Sequence, residues 1–273
     1  MSITVRIGLP KTTGALPGAA FDLEAPVLVS ANSLWDDKRK RFREPGSAIT
    51  DLDVALDSAG FVAMHLYGGY RWTVEQYVEL AGLWGWTWWS AMDLACEPEL
   101  AGDQAAINDR IWGTAYNLAY CRKVARTWRE AGADWLTDPM PIVQGWTADD
   151  YERCVDLFDD VLDGEWPEMI GVGSVCRRHL HGPAGLLTIL GRLDAVLPPH
   201  VKLHLFGVKS QALAALANHP RVVSVDSLAW DEGARRDARQ RGASNTIANK
   251  RRHMADWYAK QSPAVNPPQL SLL

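Results

Sequence analysis

The chain has 273 residues, is 47% hydrophobic and 22% charged, and carries a formal net charge of -5. That size allows one large domain or two small ones with a sizeable core, and no stretch reaches the roughly 18 uninterrupted apolar residues of a membrane span. The acidic balance weighs against a generic nucleic-acid binder, whose phosphate contacts need Lys and Arg.

The first segment, "MSITVRIGLPKTTG", has no apolar h-region before a small-residue cleavage site, so no secretory leader and a cytoplasmic location are expected. Within it Ile3–Leu9 "ITVRIGL" reads as a strand, and Val27–Asn32 "VLVSAN" as a second. Then comes "DKRKRFR", with Lys38, Arg39, Lys40, Arg41 and Arg43 inside seven positions. Such a run is ordinarily a solvated face, but it also makes a local basic surface that a global charge conceals. A short apolar run, Val54–Asp57 "VALD", ends on an acid and is followed by a helical pattern over Val74–Leu83.

Trp84, Trp86, Trp88 and Trp89 lead into Thr87–Asp93 "TWWSAMD", and a long helical pattern covers Ile107–Ala131. Pro141–Gly145 "PIVQG" precedes Thr147, an N-cap signal for a helix over Ala148–Leu162 with acids in its first turn. Met169–Val175 "MIGVGSV" leads into the basic "CRRHLH", and a helical pattern covers Gly185–Leu197. Val201–Gly207 "VKLHLFG", a helix over Ser210–Ala217 and Val222–Asp226 "VVSVD" complete the alternation, before a third basic patch between Ala234 and His253. Cys96, Cys121, Cys154 and Cys176 have no paired spacing and suit reduced thiols.

Eight strands alternating with helices predict an α/β protein, a (β/α)8 TIM barrel forming a single domain over residues 1–273. A doubly wound open sheet is the alternative, but it would carry a Gly-rich phosphate turn after its first strand, and "GLPKTTGALPG" matches that fingerprint poorly. In a barrel, chemistry sits at the C-terminal strand ends. There the sequence places Asp57, Asp93, Gln144, Gly145, Gly171, Gly173 and Asp226. A single acid at a strand end is most often a turn former. Three acids and an amide on one rim suit nucleophilic and acid/base chemistry at a sugar carbon, or oxygen ligation of a divalent metal. The glycines and Gln144 suit a flat heterocycle.

These segments resemble the motifs of the tRNA-guanine transglycosylases. "DSAGF" is similar to their "DSGGF/Y", "MDLACEP" to "FDECTP", "IVQGW" to "IVQGG" and "LHLFGVKS" to "YLMGVGTP". "IGVGSV" falls at their Gly-Gly-Leu loop and "SVDSLAW" at the segment carrying their nucleophilic aspartate; the six occur in family order from Asp57 to Trp230. "GGYRWTVEQY", "GVGSVCRR", "HLFGVKS" and "VDSLAWDEGAR" resemble more closely the short DpdA-like branch, which exchanges guanine in DNA for a 7-deazaguanine such as 7-cyano-7-deazaguanine.

The resemblance implies that Asp226 attacks the anomeric carbon, that Asp57 serves as general acid/base, and that Asp93 and Gln144 read the base edge. It implies backbone contacts from Gly145, Gly171 and Gly173, and phosphate contacts from Lys38, Arg39, Lys40, Arg41, Arg177 and Arg178. The structural zinc site of the tRNA enzymes needs cysteines beyond the nucleophile. No cysteine follows Cys176, so no zinc subdomain and no cofactor are expected. The expected partners are DNA and the free 7-deazaguanine base, with no membrane, and with an accessory protein or a homodimer left open. A tRNA substrate, a hydrolase and a non-catalytic nucleic-acid-binding barrel are the competing readings.

Overall fold

The computed structural model describes residues 3–176 and 178–265, with side chains as far as Gln261. Eight parallel strands form one sheet: β1 (Thr4–Leu9), β2 (Val27–Ser30), β3 (Val54–Asp57), β4 (Trp88–Trp89), β5 (Ile142–Val143), β6 (Met169–Val172), β7 (Lys202–Leu205) and β8 (Val222–Ser227). Their spatial order is β4-β3-β2-β1-β8-β7-β6-β5. Every sequence-predicted strand is present: Val54–Asp57 keeps its expected bounds, the last strand runs one residue further, to Ser227, and the other six are shorter than expected. Both faces of these runs are covered, which is why they read as continuous Val, Ile and Leu rather than as an alternating pattern.

The sheet curls until its edges meet, but not along a continuous ladder. β4 and β5 touch through one parallel bridge, Ser90 to Met140. Met140 N–H donates to the Trp89 carbonyl at 2.8 Å, and Ala91 N–H to the Met140 carbonyl at 2.9 Å. Pro139 and Pro141 flank Met140; neither carries an N–H, so pairing on that side stops after a single residue. The architecture is therefore TIM-like, with the expected ladder closure reduced to one bridge.

Ten helices accompany the strands among the described residues: α1 (Ala15–Asp22), α2 (Gly60–Tyr67), α3 (Val74–Gly82), α4 (Pro98–Ala101), α5 (Gln104–Glu130), α6 (Ala148–Leu162), α7 (Leu186–Val196), α8 (Leu213–Leu216), α9 (Ala229–Gln240) and α10 (Ile247–Val265). α3 and α6 start on capping boxes, Thr73 with Gln76 and Thr147 with Asp150, each satisfying two otherwise unpaired amide groups. The apolar faces of α5, α6 and α7 pack with β5 to β8 in one buried cluster, and α1 and α3 pack with β1 to β4 in another. No described helix is long and apolar enough to cross a membrane.

After β2 the chain makes a small antiparallel hairpin, Trp35–Asp36 with Arg41–Phe42. Trp35, Phe42 and Trp72 pack in edge-to-face and tilted pairs with centroids 5.0–5.5 Å apart. The hairpin thus stands at the C-terminal end of the sheet, the end where Asp57 and Asp226 also emerge.

Candidate active site

Parallel strands that all point one way deliver their last residues to one rim, and here that rim closes around a cavity of about 470 Å³. Asp57, Asp93, Gln144, Gly173 and Asp226 all line it. The size fits a purine-sized ligand. A wider groove of about 820 Å³ opens at the opposite end of the sheet, lined by Asp22, Glu24, Asp51 and Asp53, and none of the rim acids reaches it.

Asp57 is half-buried, with protein on every side but the cavity. Its pKa is pushed up to about 8, first by burial and then by the negative charges of Asp93 and Asp226, against a smaller opposing bond from the Ala59 amide. It therefore holds a proton at neutral pH. Ala59 sits in the left-handed region at φ 70°, the conformation in which a Gly is least strained. That turn brings the start of α2 against Asp93: a Cβ on Gly60 would lie 2.5 Å from the Asp93 carbonyl oxygen and 2.6–2.7 Å from its carboxylate.

Asp93 is buried at the end of the loop after β4. Ser58 Oγ donates to its Oδ1 at 2.6 Å, and Gln144 Nε2 donates to its Oδ2. Tyr70 Oη bonds the Asp93 carbonyl at 2.7 Å and accepts from the Asp93 amide at 3.1 Å. Burial raises the Asp93 pKa, with the Ser58 and Gln144 bonds working the other way.

Asp226 is the last residue but one of β8, with its carboxylate held at one oxygen. Gly207 N–H donates to Oδ1 at 2.8 Å, and His204 Nε2 lies 3.4 Å from the same atom. The His204 ring is fully buried, edge-on to Trp88 and Phe206 at 4.9 and 4.5 Å, with Nδ1 2.9 Å from Ser224 Oγ. Burial lowers its pKa, so the ring is neutral. Nδ1 thus faces Ser224, and Nε2 faces the carboxylate. The Gly207 amide and the His204 ring both approach Oδ1.

Several expected roles are corrected. Gly171 is outside the cavity wall: its amide is spent on the Pro141 carbonyl at 2.7 Å, and its missing side chain makes room for the Phe206 ring. Gly173 lines the cavity, but its amide bonds the Val143 carbonyl at 3.0 Å. A Cβ there would lie 2.0 Å from Gln144 Nε2, so Gly173 clears space for that amide instead of donating to a ligand. Gly145 faces the start of α6, where a Cβ would meet Asp150 and Tyr151 at 2.8 Å.

Arg178 is only 5% exposed and cannot reach phosphate. Its guanidinium donates to the carbonyls of Ser174, Trp146, Ala184 and Gly145 at 2.6–2.9 Å and stacks over Trp146. It ties together the loops after β5 and β6. Arg177 lies outside the described residues. Lys38, Arg39, Lys40 and Arg41 are exposed on the hairpin, where Lys40 pairs with Asp37 at 2.8 Å.

Sequence reasoning missed Ser58, Tyr70, Glu97, Ser174 and His204. The one available signal was His204, a fully buried polar residue between two leucines of the strand "KLHL". Glu97 and Ser174 meet only through folding: Ser174 Oγ lies 2.9 Å from Glu97 Oε2 and 2.7 Å from Gln144 Oε1, and both residues line the cavity.

No curated protein matches the chain. The sequence model of one family does match, over residues 24–266 and hence most of the chain. That span contains every residue of the cavity wall from Leu28 to Leu228. The six motifs, the acidic rim and this match agree, and the chain belongs to the DpdA family, DeoxyPurine in DNA protein A.

Proposed function

We propose that the protein is a DNA-guanine transglycosylase that replaces guanine in DNA by a 7-deazaguanine, such as 7-cyano-7-deazaguanine, through a covalent aspartyl-glycosyl intermediate. The observation that carries this reading is the convergence of Asp57, Asp93, Gln144 and Asp226 on one purine-sized cavity, in a chain of a family named for deoxypurines in DNA.

Asp226 Oδ2 attacks C1′ of the deoxyguanosine while the C1′–N9 bond breaks. The bonding pair leaves with the base, and Asp57, protonated at neutral pH, supplies the proton that neutralises it. The 7-deazaguanine then enters the vacated cavity, gives its N9 proton to Asp57 and attacks C1′, releasing Asp226. Two displacements retain the configuration of the sugar. Asp93 and Gln144 read the base edge, and no step requires a cofactor or metal. The target nucleotide leaves the duplex stack to enter so deep a cavity, and Lys38, Arg39, Lys40 and Arg41 hold the flanking phosphates. The reading places the work in the cytoplasm, where DNA and free base meet.

Incubation with radiolabelled guanine and either duplex DNA or tRNA tests the substrate, and incorporation into tRNA alone rejects the proposal. Asp226→Asn tests the intermediate: it should abolish a denaturation-resistant protein–DNA adduct with the fold intact. Exchange at the parental rate in that variant would show the nucleophile to be elsewhere.

A further inference from the structure

The cavity wall carries a chain of hydrogen bonds whose protons can be counted. Ser174 Oγ accepts from the Cys96 amide at 2.8 Å and makes two more close contacts, at 2.7 Å to Gln144 Oε1 and 2.9 Å to Glu97 Oε2. A hydroxyl owns one proton. Gln144 Oε1 has none to give, so one arrangement satisfies all three contacts: Glu97 carries a proton on Oε2 and donates it to Ser174, and Ser174 donates to Gln144 Oε1. Gln144 Nε2 is thereby turned to Asp93 Oδ2. Its second N–H remains for a ligand. If Glu97 were ionised it would take the Ser174 proton, Oε1 would lose its donor, and the amide would turn over to present an acceptor where it had presented a donor.

We propose that Glu97 is a specificity-determining positioning residue: as a neutral acid acting through Ser174, it fixes the Gln144 amide so that the cavity selects 6-oxo purines over 6-amino purines. The proposal rests on the transglycosylase reading, deepening it from a purine site to one class of purine. A 6-oxo base offers an acceptor to the free N–H of Nε2, whereas a 6-amino base offers a second donor and leaves both groups unpaired. Glu97 is 1% exposed and only 3.8 Å from the Cys176 thiol at its other oxygen.

The groups around Glu97 favour the neutral form. Burial raises the Glu97 pKa, and the acidic Asp93 from the same loop and Glu99 of α4 act in the same direction, against the opposing bonds to its own amide and to Ser174. Cys96 beside it has its thiol pushed up by burial, and Tyr151 of α6 is likewise held neutral. Asp150 of α6 is negative, and its bonds run to the Trp146 and Thr147 amides and to Gln104. Among the described residues, the nearby cations Arg110 of α5 and Arg178 are engaged elsewhere, on the Ala95 and Leu100 carbonyls and on the carbonyls after β5 and β6.

Binding of free guanine and free 2,6-diaminopurine at about pH 6.5, followed by tryptophan fluorescence, tests this without DNA. The parent should prefer guanine by at least about tenfold. Glu97→Gln still donates and should keep that preference, whereas Glu97→Ala removes the donor and should lose about tenfold. Ser174→Ala breaks the relay and should lose about tenfold as well, with thermal melting confirming that each variant is folded. A Glu97→Ala or Ser174→Ala preference equal to the parent's, or a Glu97→Gln preference as low as that of Glu97→Ala, would overturn the assignment. A parent that binds neither base would overturn the transglycosylase reading and this inference with it.

Discussion

Replacing Asp57 by Asn separates what the carboxyl costs the fold from what it does for the reaction. In the unfolded chain it titrates near 3.8, and in the folded chain near 8. Between those values the folded state holds a proton that the unfolded state has released, so stability falls as pH rises through this window and levels off once the folded carboxyl also ionises. At about 1.36 kcal/mol for each pH unit, the group costs the parent about 3 kcal/mol between pH 5 and pH 7.5. The opening of the carboxyl onto the cavity reduces this, and a difference of at least about 1 kcal/mol should survive. An Asn does not titrate, so its own burial penalty is the same at every pH. Urea unfolding of the two proteins at pH 5, 6, 7 and 7.5 should show the stability gap moving in favour of Asp57→Asn as pH rises. Base exchange should be lost in the variant throughout, while exchange by the parent should decline as pH climbs past about 8. Parallel stability curves for the two proteins would refute the claim that Asp57 is protonated in the folded state.

The remaining predictions concern neighbours of the rim. Gly60→Ala drives a methyl to within 2.5–2.7 Å of Asp93, so steady-state exchange should fall at least about 100-fold with only modest loss of thermal stability. His204→Phe keeps an aromatic ring but removes the Nε2 nitrogen that faces Asp226; the single-turnover rate of adduct formation should drop about tenfold or more, with the apparent affinity for free guanine unchanged. Arg178→Ala frees four buried carbonyls and should cost about 3 kcal/mol in urea unfolding. Replacing Lys38, Arg39, Lys40 and Arg41 together by Ala should leave stability alone, weaken DNA binding and flatten its dependence on salt.

The strands were legible as short apolar runs, several of them closed by a polar residue, and parallel topology carries those residues to a common rim. Asp57, Asp93, Gln144 and Asp226 could therefore be placed together before any coordinates. What could not be read depends on approach distances. Gly171 and Gly173 resemble amide donors in sequence, but the ladder consumes their amides, and their value lies in the volume they leave to Phe206 and Gln144. Arg178 sits in a basic run, and nothing local tells that four carbonyls converge on it. Glu97 belongs to "ACEP", four residues past Asp93, and meets Ser174 across 77 positions of chain. The single bridge between β4 and β5 depends on Pro139 and Pro141, visible in the sequence but meaningful only once the strand partner is known.

That bridge has a mechanical consequence. Asp93 follows β4 and Gln144 follows β5, so the Gln144–Asp93 bond straddles the weakest join of the sheet. In the proposed reaction, a base that engages both residues would act as a clasp over that join: the contact that recognises the ligand would tighten the frame around it, and an empty site would leave the frame slack where the flipped nucleotide enters. Hydrogen exchange at the Met140 and Ala91 amides, the two donors across the join, is the gauge: it should slow when guanine is bound, while amides between β1 and β8 stay as they were.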